Sequence, residues 1–536
     1  MAAASQPWWA AADRRSDCVA MALVGVGSLW RLWLAHATFF NADEAWHYWL
    51  ANQDSVSLAY KASLTIPHPP LLVLVLYFWR GLGTSNLVLR LPCVIAGTLF
   101  CWVFWKWLTA LAGRTAGWVG LIFVTLLPPM ISFFAELRQY PMMLLFTVSA
   151  AYFLEQALAE NSLRWSVVSA VCVCLAMLST YSAFFFAAVL GGYGVLRIYT
   201  KPPSAQVIAA WVAGQLGGIG LAWFLYVTHI AKLGSLQVPW LYDYYFHAGR
   251  SRLLPFLYHG TFGIFRFVFG QITAGAMATL MFAVGVMLLL FRKSASQTSV
   301  PSRLIGIFLV LPFVLNCVAV TAGLYPYGRT RQCVFLAVFA IAGVSVFLAK
   351  VTKQSAPNAV VLAIGIVVVC HAFGTLQGRD MLPLADQKHE HMDQALEFIR
   401  QEVRPADLIF VDSATRLQLG HYLCQQEQIS IDYSVAGFDS FRCRGFRVIS
   451  TGPNEEAFTG DTFAGKWQQM VRAYSLDPGT NVWVFQGGWA SGLAEALRGR
   501  SPEFSVLEPH SFGRYLDLFK LKVPVSSGIP SVPTRI

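Results

Sequence analysis

Eleven apolar runs dominate the first 377 residues, at 18–39, 91–112, 115–135, 139–159, 165–181, 182–199, 206–228, 262–291, 304–323, 332–349 and 358–377. Each comes close to the about 20 residues an α-helix needs to cross a bilayer. Inside hydrocarbon every backbone polar group must be satisfied within the protein, so such runs can only be helices. The composition agrees: 12% of residues are charged, 56% are hydrophobic, and the mean hydropathy is +0.53. Soluble domains carry about 25% charged residues. A soluble enzyme, a disordered chain and a fibrous repeat are excluded. The expected fold is a polytopic α-helical membrane protein with eleven transmembrane helices.

The charge divides the chain. Residues 1–377 hold 23 Lys and Arg against 9 Asp and Glu, whereas residues 378–536 hold 16 against 19. This predicts a basic membrane module over 1–377 and a water-soluble domain over 378–536. In the tail, Asp407–Asp412, Phe446–Ser450, Asn481–Phe485 and Leu516–Lys522 read as strands, with a helix over 414–426. Asp477-Pro478-Gly479 marks a turn, and 523–536 reads as a frayed end. These are the marks of a small α/β domain. No basic run with interleaved aromatics lies outside the spans, so nucleic acid is not an expected partner. Cys424 and Cys443 are the tail's two thiols, and they can pair if the tail is exported.

Basic residues in short loops set the sidedness. With Arg14 and Arg15 in the cytoplasm, every inner loop gains a basic residue: Lys106 and Arg114, Arg164, Arg197 and Lys201, Arg292, Lys293 and Arg303, Lys350 and Lys353. The outer side then receives 40–90, 136–138, 229–261, 324–331 and the tail. In the long outer loop, Leu71–Gly83 is short, follows Pro67-His68-Pro69-Pro70 and contains Arg80. It reads as an interfacial helix.

Carboxylates near a bilayer are costly, about 2.5–3.5 kcal/mol at a helix centre. Those kept beside a span end are therefore candidates for chemistry. Asp43 and Glu44 follow the first span in Asn41-Ala42-Asp43-Glu44-Ala45-Trp46-His47-Tyr48-Trp49, at headgroup depth. A partly desolvated carboxylate there suits a general base acting on a hydroxyl. The plainer reading is an acidic start to a helix. Glu136 opens the outer turn Glu136-Leu137-Arg138-Gln139-Tyr140-Pro141. It is either an ion-pair partner of Arg138 or a second acid, with Arg138 or Tyr140 touching an anionic substrate. His68, its backbone fixed by prolines, is an interface residue or completes a divalent-metal site with Asp43 and Glu136. Arg329 and Arg331 stand at an outer helix junction, where guanidinium groups bind phosphate by forked hydrogen bonds or contact lipid headgroups. Arg250 and Arg252 are weaker candidates of the same kind.

These residues, in this order, resemble the GT-C fold glycosyltransferases, and within them the branch of protein O-mannosyltransferases and the aminoarabinose transferase of lipid A. The matching pieces are Asp43-Glu44, His68-Pro69-Pro70, Arg90-Leu91-Pro92 with Ala96-Gly97, the turn with Glu136, Arg138 and Tyr140, and Thr180-Tyr181. They extend over about residues 25–200, more loosely to 350, and fade in the tail. The resemblance implies inverting transfer of one sugar from a polyprenyl-phosphate carrier to a hydroxyl acceptor, on the outer face of a bacterial inner membrane. It makes Asp43 the catalytic base, Glu44 its partner or a metal ligand, and Glu136 the second-loop acid. It also implies that Tyr181 lines the substrate site. Glu136 stands where several members of the fold place an aspartate. Gly328-Arg329-Thr330-Arg331 stands where relatives often show an Arg-Tyr pair.

The main rival is a lipid or sugar transporter or flippase. That reading calls for charges at mid-membrane, and Arg31 is the one clear charge within a span.

Overall fold

The computed structural model describes residues 14–233, 239–291, 300–373, 387–404, 407–424, 432–435, 437–452, 458–488, 491–499 and 506–524. The chain forms two compact bodies. One comprises Met1–Ala35 and Leu50–Met381, the other His36–Trp49 and Leu382–Ile536. The expected boundary at 377 lies outside the described residues, as do the inner-loop residues Arg292 and Lys293 and the end beyond 524.

The first body is helical. In chain order its helices are α1 (Arg14–Ala37, whose last residues pass into the second body), then α2 (Ala42–Ala51), which belongs mostly to the second body. There follow α3 (Val56–Ser63), α4 (Leu71–Trp79), α5 (Asn86–Ala112), α6 (Arg114–Leu126), α7 (Pro128–Ala135), α8 (Tyr140–Glu160), α9 (Leu163–Ser179) and α10 (Ala183–Thr200). The series ends with α11 (Ala205–Thr228), α12 (Leu253–Phe269), α13 (Ile272–Phe291), α14 (Ser302–Thr321), α15 (Leu336–Val351) and α16 (Ala356–Phe373). Among the described residues nine helices are long and apolar enough to cross a membrane, or ten if the bent pair α6 and α7 counts as one. The eleventh expected span is α9, which has 17 residues.

Two expected spans are broken for local reasons. The run 115–135 bends by 57° between α6 and α7, because Pro128 takes the first turn of α7 and cannot continue the hydrogen-bond ladder of α6. The run 262–291 divides at Gly270, which ends α12 at φ 69°. A left-handed residue that glycine adopts freely terminates one helix, and the Gln271 side chain accepts from the Ala274 amide to begin the next. The run Leu71–Gly83 is α4 with a 3-10 turn over Arg80–Leu82, too short to span.

The bundle has a clear inside. Within the span Arg331–Val351, which contains α15, 83% of the most apolar stretch is buried, and in α8 72%. In the span containing α11 only 11% is buried, and Leu216, Trp223 and Phe224 project from it as lipid-facing side chains. Arg31 is fully buried. Its guanidinium donates to the carbonyls of Val124 and Thr125 at 3.1 and 3.2 Å and to the Cys101 thiol at 3.2 Å, and it stacks 5.0 Å from the Phe134 ring. The bend at Pro128 frees α6 carbonyls, and a cation at a helix C-terminus suits both their lone pairs and the dipole. One guanidinium nitrogen of the mid-span arginine, Nη2, thus caps α6. At the ends assigned to the cytoplasm, Lys106 pairs with Asp17 at 2.8 Å. Arg197 pairs with Glu155 at 3.0 Å, where Tyr193 also donates.

The second body is an α/β domain of α17 (His389–Glu402), β1 (Leu408–Val411), α18 (Ser413–Tyr422), β2 (Asp432–Val435), β3 (Phe438–Cys443), β4 (Phe446–Thr451), α19 (Gly460–Ala473), β5 (Asn481–Gly487), α20 (Leu493–Gly499), β6 (Val506–Gly513) and β7 (Leu516–Lys522). The sheet order is β2-β3-β4-β1-β5-β7-β6. β1 runs parallel to β4 and β5, and the other pairings are antiparallel. α17 and α18 cover one face, where Leu396, Ile399 and Leu419 pack on Ile409, Val411 and Phe485. α19 and α20 cover the other, where Phe463, Trp467 and Leu497 pack on Phe410 and Val484. Cys424 and Cys443 form a disulfide with Cα atoms 5.0 Å apart. The four expected strands are present. β2, β3 and β6 were not expected; β2 and β6 are edge strands, and Pro509 in β6 is tolerated only there. The helix expected over 414–426 ends at Tyr422, and residues 425–426 lie outside the described part.

The expected module 1–377 is corrected in one place. Residues 36–49 belong with the tail. Thr38 bridges to Lys388, the Phe39 amide donates to the Gln387 carbonyl at 3.0 Å, and Phe40 stacks on His421 at 4.8 Å.

Candidate active site

Asp43 and Glu44 sit in the first turn of α2, and their jobs differ. Glu44 is fully buried. Its carboxylate accepts from the Asn41 amide at 3.0 Å, while the Asn41 side chain accepts from the Glu44 amide at 3.0 Å. This reciprocal capping box satisfies two helix-end donors and gives one Glu44 oxygen a structural role. Asp43 is half-buried. Its own carbonyl meets the His47 ring at 2.7 Å, and it stands in the first turn of α2, the helix's positive end.

The second set of residues lies in the membrane body. The turn after α7 puts Glu136 in extended backbone, and the Arg138 amide donates to the Glu136 carbonyl at 2.9 Å. Glu136, Arg138 and Tyr140 are all buried. The Glu136 carboxylate pairs with Arg331, also buried, at 3.5 Å. The Arg138 guanidinium lies 5.7 Å from the Tyr140 ring, and its carbonyl accepts from the Cys93 thiol. Glu136 thus also makes a contact across the bundle, beyond the neighbouring Arg138. Tyr325 joins here: its hydroxyl donates to the Gln332 carbonyl at 3.3 Å and its ring packs on Phe185. Burial keeps its phenol well above the ordinary range, with the Ser182 hydroxyl and Tyr140 also acting on it. It therefore remains a neutral donor. Arg329 is half-buried, its backbone pressed against Gly263, where a Cβ would approach the Arg329 nitrogen to 3.2 Å.

His68 is half-buried in the turn before α4, its amide donating to the Ile66 carbonyl at 2.8 Å. Tyr181, half-buried between α9 and α10, hydrogen-bonds the ring of His229. His229 in turn interacts with the backbone of Ile66 and Leu64. His229 thus stands between Tyr181 and the backbone of the turn that carries His68. The sequence offered no signal for His229, a lone histidine at a span end. Arg250 and Arg252 are exposed, and Arg250 donates to the Tyr242 hydroxyl at 2.9 Å.

The expected site residues therefore divide between the two bodies. Asp43 and Glu44 belong to one, and Glu136, Arg138, Tyr140, His68, Tyr181, Arg329 and Arg331 to the other. Glu136 and Arg331 are brought together. The metal set of Asp43, Glu136 and His68 draws on both bodies. Among the described residues no three His, Cys, Asp or Glu side chains gather as a metal site.

The structure superposes on ArnT from Cupriavidus metallidurans bound to undecaprenyl phosphate with a TM-score of 0.54, covering 94% of this chain and 98% of that one at 11% identity. The apo state of ArnT gives 0.52, 95% and 98%, also at 11% identity. The chain has the GT-C glycosyltransferase fold. Within it, residues 67–224 match the profile of the family described as dolichyl-phosphate-mannose-protein mannosyltransferase. That match takes in the His68 turn, the Glu136 turn and Tyr181. The oligosaccharyltransferase of Archaeoglobus fulgidus, in complex with Zn and sulfate, gives a TM-score of 0.47 at 12% identity over 89% of this chain and 70% of that one. No curated protein matches by sequence. In a GT-C fold the buried Glu136–Arg331 pair and the α2 aspartate are the features that call for a chemical account.

Proposed function

We propose that the protein is an inverting glycosyltransferase that moves one sugar from a polyprenyl-phosphate carrier to a hydroxyl acceptor at the extracytoplasmic face. The observation that supports this reading is the start of α2. Glu44 closes the capping box there, while Asp43 is half-buried in the helix's first turn. A carboxylate so presented is suited to one proton transfer. In the proposed reaction Asp43 takes the acceptor's proton as its oxygen attacks the anomeric carbon. The bond from that carbon to the phosphate oxygen breaks, and configuration inverts in this single displacement. The leaving polyprenyl phosphate carries away the charge. Arg331, held by Glu136, and Arg138 are the proposed stabilisers of that charge. Tyr140, Tyr325 and Arg329 are proposed to border the headgroup.

The undecaprenyl phosphate bound by ArnT supports a lipid-phosphate donor. The Cys424–Cys443 disulfide favours an oxidising compartment for the tail. Against the transporter reading, the one mid-span charge expected from the sequence, Arg31, donates through Nη2 to the carbonyls at the end of α6.

The test is transfer of labelled sugar from a polyprenyl-phosphate donor to an added hydroxyl acceptor by purified protein in detergent. A transporter makes no product there. Asp43→Asn should lower kcat by about 10²–10⁴-fold while the protein keeps its thermal transition. Wild-type activity in Asp43→Asn removes the base, and absence of product from wild type with every donor offered removes the enzyme reading.

A further inference from the structure

The tail's sheet contains a crevice of the kind that binds ligands in doubly wound folds. Such sheets take ligands outside the carboxyl ends of parallel strands, where adjacent strands send their next helices to opposite faces. β1 and β5 are parallel neighbours. The helix after β1, α18, packs on one face, and the helix after β5, α20, packs on the other. At these strand ends Asp412 accepts from the Ala414 and Thr415 amides, and the Thr415 hydroxyl accepts from the Gly487 amide at 2.9 Å.

The crevice is filled by the protein's own chain. A side chain on Gly488, which has φ 77°, would come within 2.5 Å of the Phe39 ring. The Gln418 amide donates to the Phe40 carbonyl at 2.8 Å, and the Phe40 amide donates to the Tyr422 hydroxyl at 2.6 Å. The His421 ring stacks on Phe40 at 4.8 Å and meets Tyr48 edge-on at 5.0 Å. α18 therefore grips both sides of Asp43: the backbone three residues before it, and the ring five residues after it.

We propose that the tail domain is a positioning device, with Gln418, His421 and Tyr422 as positioning residues that fix where Asp43 stands, and with the Phe39-Phe40 segment as the permanent occupant of the sheet's ligand crevice. The role given to Asp43 rests on the function proposed above; the grip on residues 38–48 does not. A group held by rigid elements keeps its reactive geometry, and a displacement of about 1 Å costs about 100-fold in rate.

The experiment uses the full-length protein in detergent with His421→Ala, His421→Phe, Tyr422→Phe and the double variant His421→Ala/Tyr422→Phe. Amide hydrogen exchange is followed at Phe40–Ala45 and at β1 and β5, alongside kcat and KM for transfer. In the double variant, exchange at Phe40–Ala45 should rise about tenfold or more while β1 and β5 stay protected, the signature of local opening. Transfer kcat should fall about 10–100-fold with donor KM within about twofold, and its pH profile should keep its shape. His421→Phe, which retains ring stacking, should restore both readouts relative to His421→Ala. Unchanged exchange at Phe40–Ala45 overturns the grip. Raised exchange with unchanged kcat overturns the positioning role, provided Asp43→Asn is inactive. If Asp43→Asn is active, the proposed base fails, and the exchange result still decides whether the tail holds the segment.

Discussion

The Glu136–Arg331 pair allows a quantitative test. At 3.5 Å two unit charges attract by about 5 kcal/mol at an effective dielectric near 20. Part of that offsets the cost of burying both groups, whose side chains are only 3% and 10% exposed. Glu136→Gln leaves a guanidinium buried beside a neutral amide, and Arg331→Met leaves a buried carboxylate. Removing one partner of a buried pair costs about 3–5 kcal/mol. The double variant removes both charges and should recover much of that loss, giving a coupling energy of about 2–3 kcal/mol in the cycle. Unfolding in mixed micelles of increasing denaturing detergent measures each corner. Transfer assays on the same samples separate stability from chemistry: the double variant should regain folding but not turnover, because the proposed phosphate contact of Arg331 is gone. Effects that add to within about 0.5 kcal/mol would show that the two charges do not depend on one another, and the reasoning would fail.

Three further outcomes are expected. Replacing Cys424 and Cys443 together by Ser should destabilise the tail by about 3 kcal/mol, from the added freedom of the unfolded loop; a change under about 1 kcal/mol in denaturant melts speaks against a structural role. Asp412 is raised above the ordinary carboxyl range, chiefly by burial, against hydrogen bonds from Thr415, Ser491 and Ala414. Its stabilisation is complete below the unfolded value and is lost as pH rises through the raised folded one; Asp412→Asn should flatten that part of the stability–pH curve, and an identical slope in variant and wild type contradicts the assignment. The divalent ion proposed with Asp43, Glu136 and His68 predicts that a strong chelator followed by gel filtration lowers transfer and that added Mn²⁺ or Mg²⁺ restores it; a rate unchanged by chelation removes the ion.

The membrane helices were legible because lipid imposes one rule on every residue of a span, and a run of apolar side chains records it directly. The breaks at Pro128 and Gly270 were also written in the sequence, but each is a single residue inside an otherwise unbroken run. Glu44 carried a readable signal in Asn41-Ala42-Asp43-Glu44, the spacing of a capping box. It was masked by the neighbouring acid, which drew the reading toward chemistry. The attachment of residues 36–49 to the tail could not be read. Phe39 and Phe40 look like the aromatic belt at a span end, and their partners Gln418, His421 and Tyr422 are more than 370 positions away. The Glu136–Arg331 contact was hidden for the same reason, since the two residues are 195 positions apart in the chain. Strands β2 and β6 left little trace because edge strands bury only part of their length.

Arg31 has a consequence for biogenesis. The residue enters the bilayer with the first helix, at an insertion cost of about 2.5–3.5 kcal/mol at a helix centre. The groups that accept from its Nη2, on Cys101, Val124 and Thr125, are synthesised 70 to 94 residues later. During synthesis the first helix must wait at the translocon or a lipid boundary until the third arrives, so its lasting residence in the membrane depends on segments still to be made.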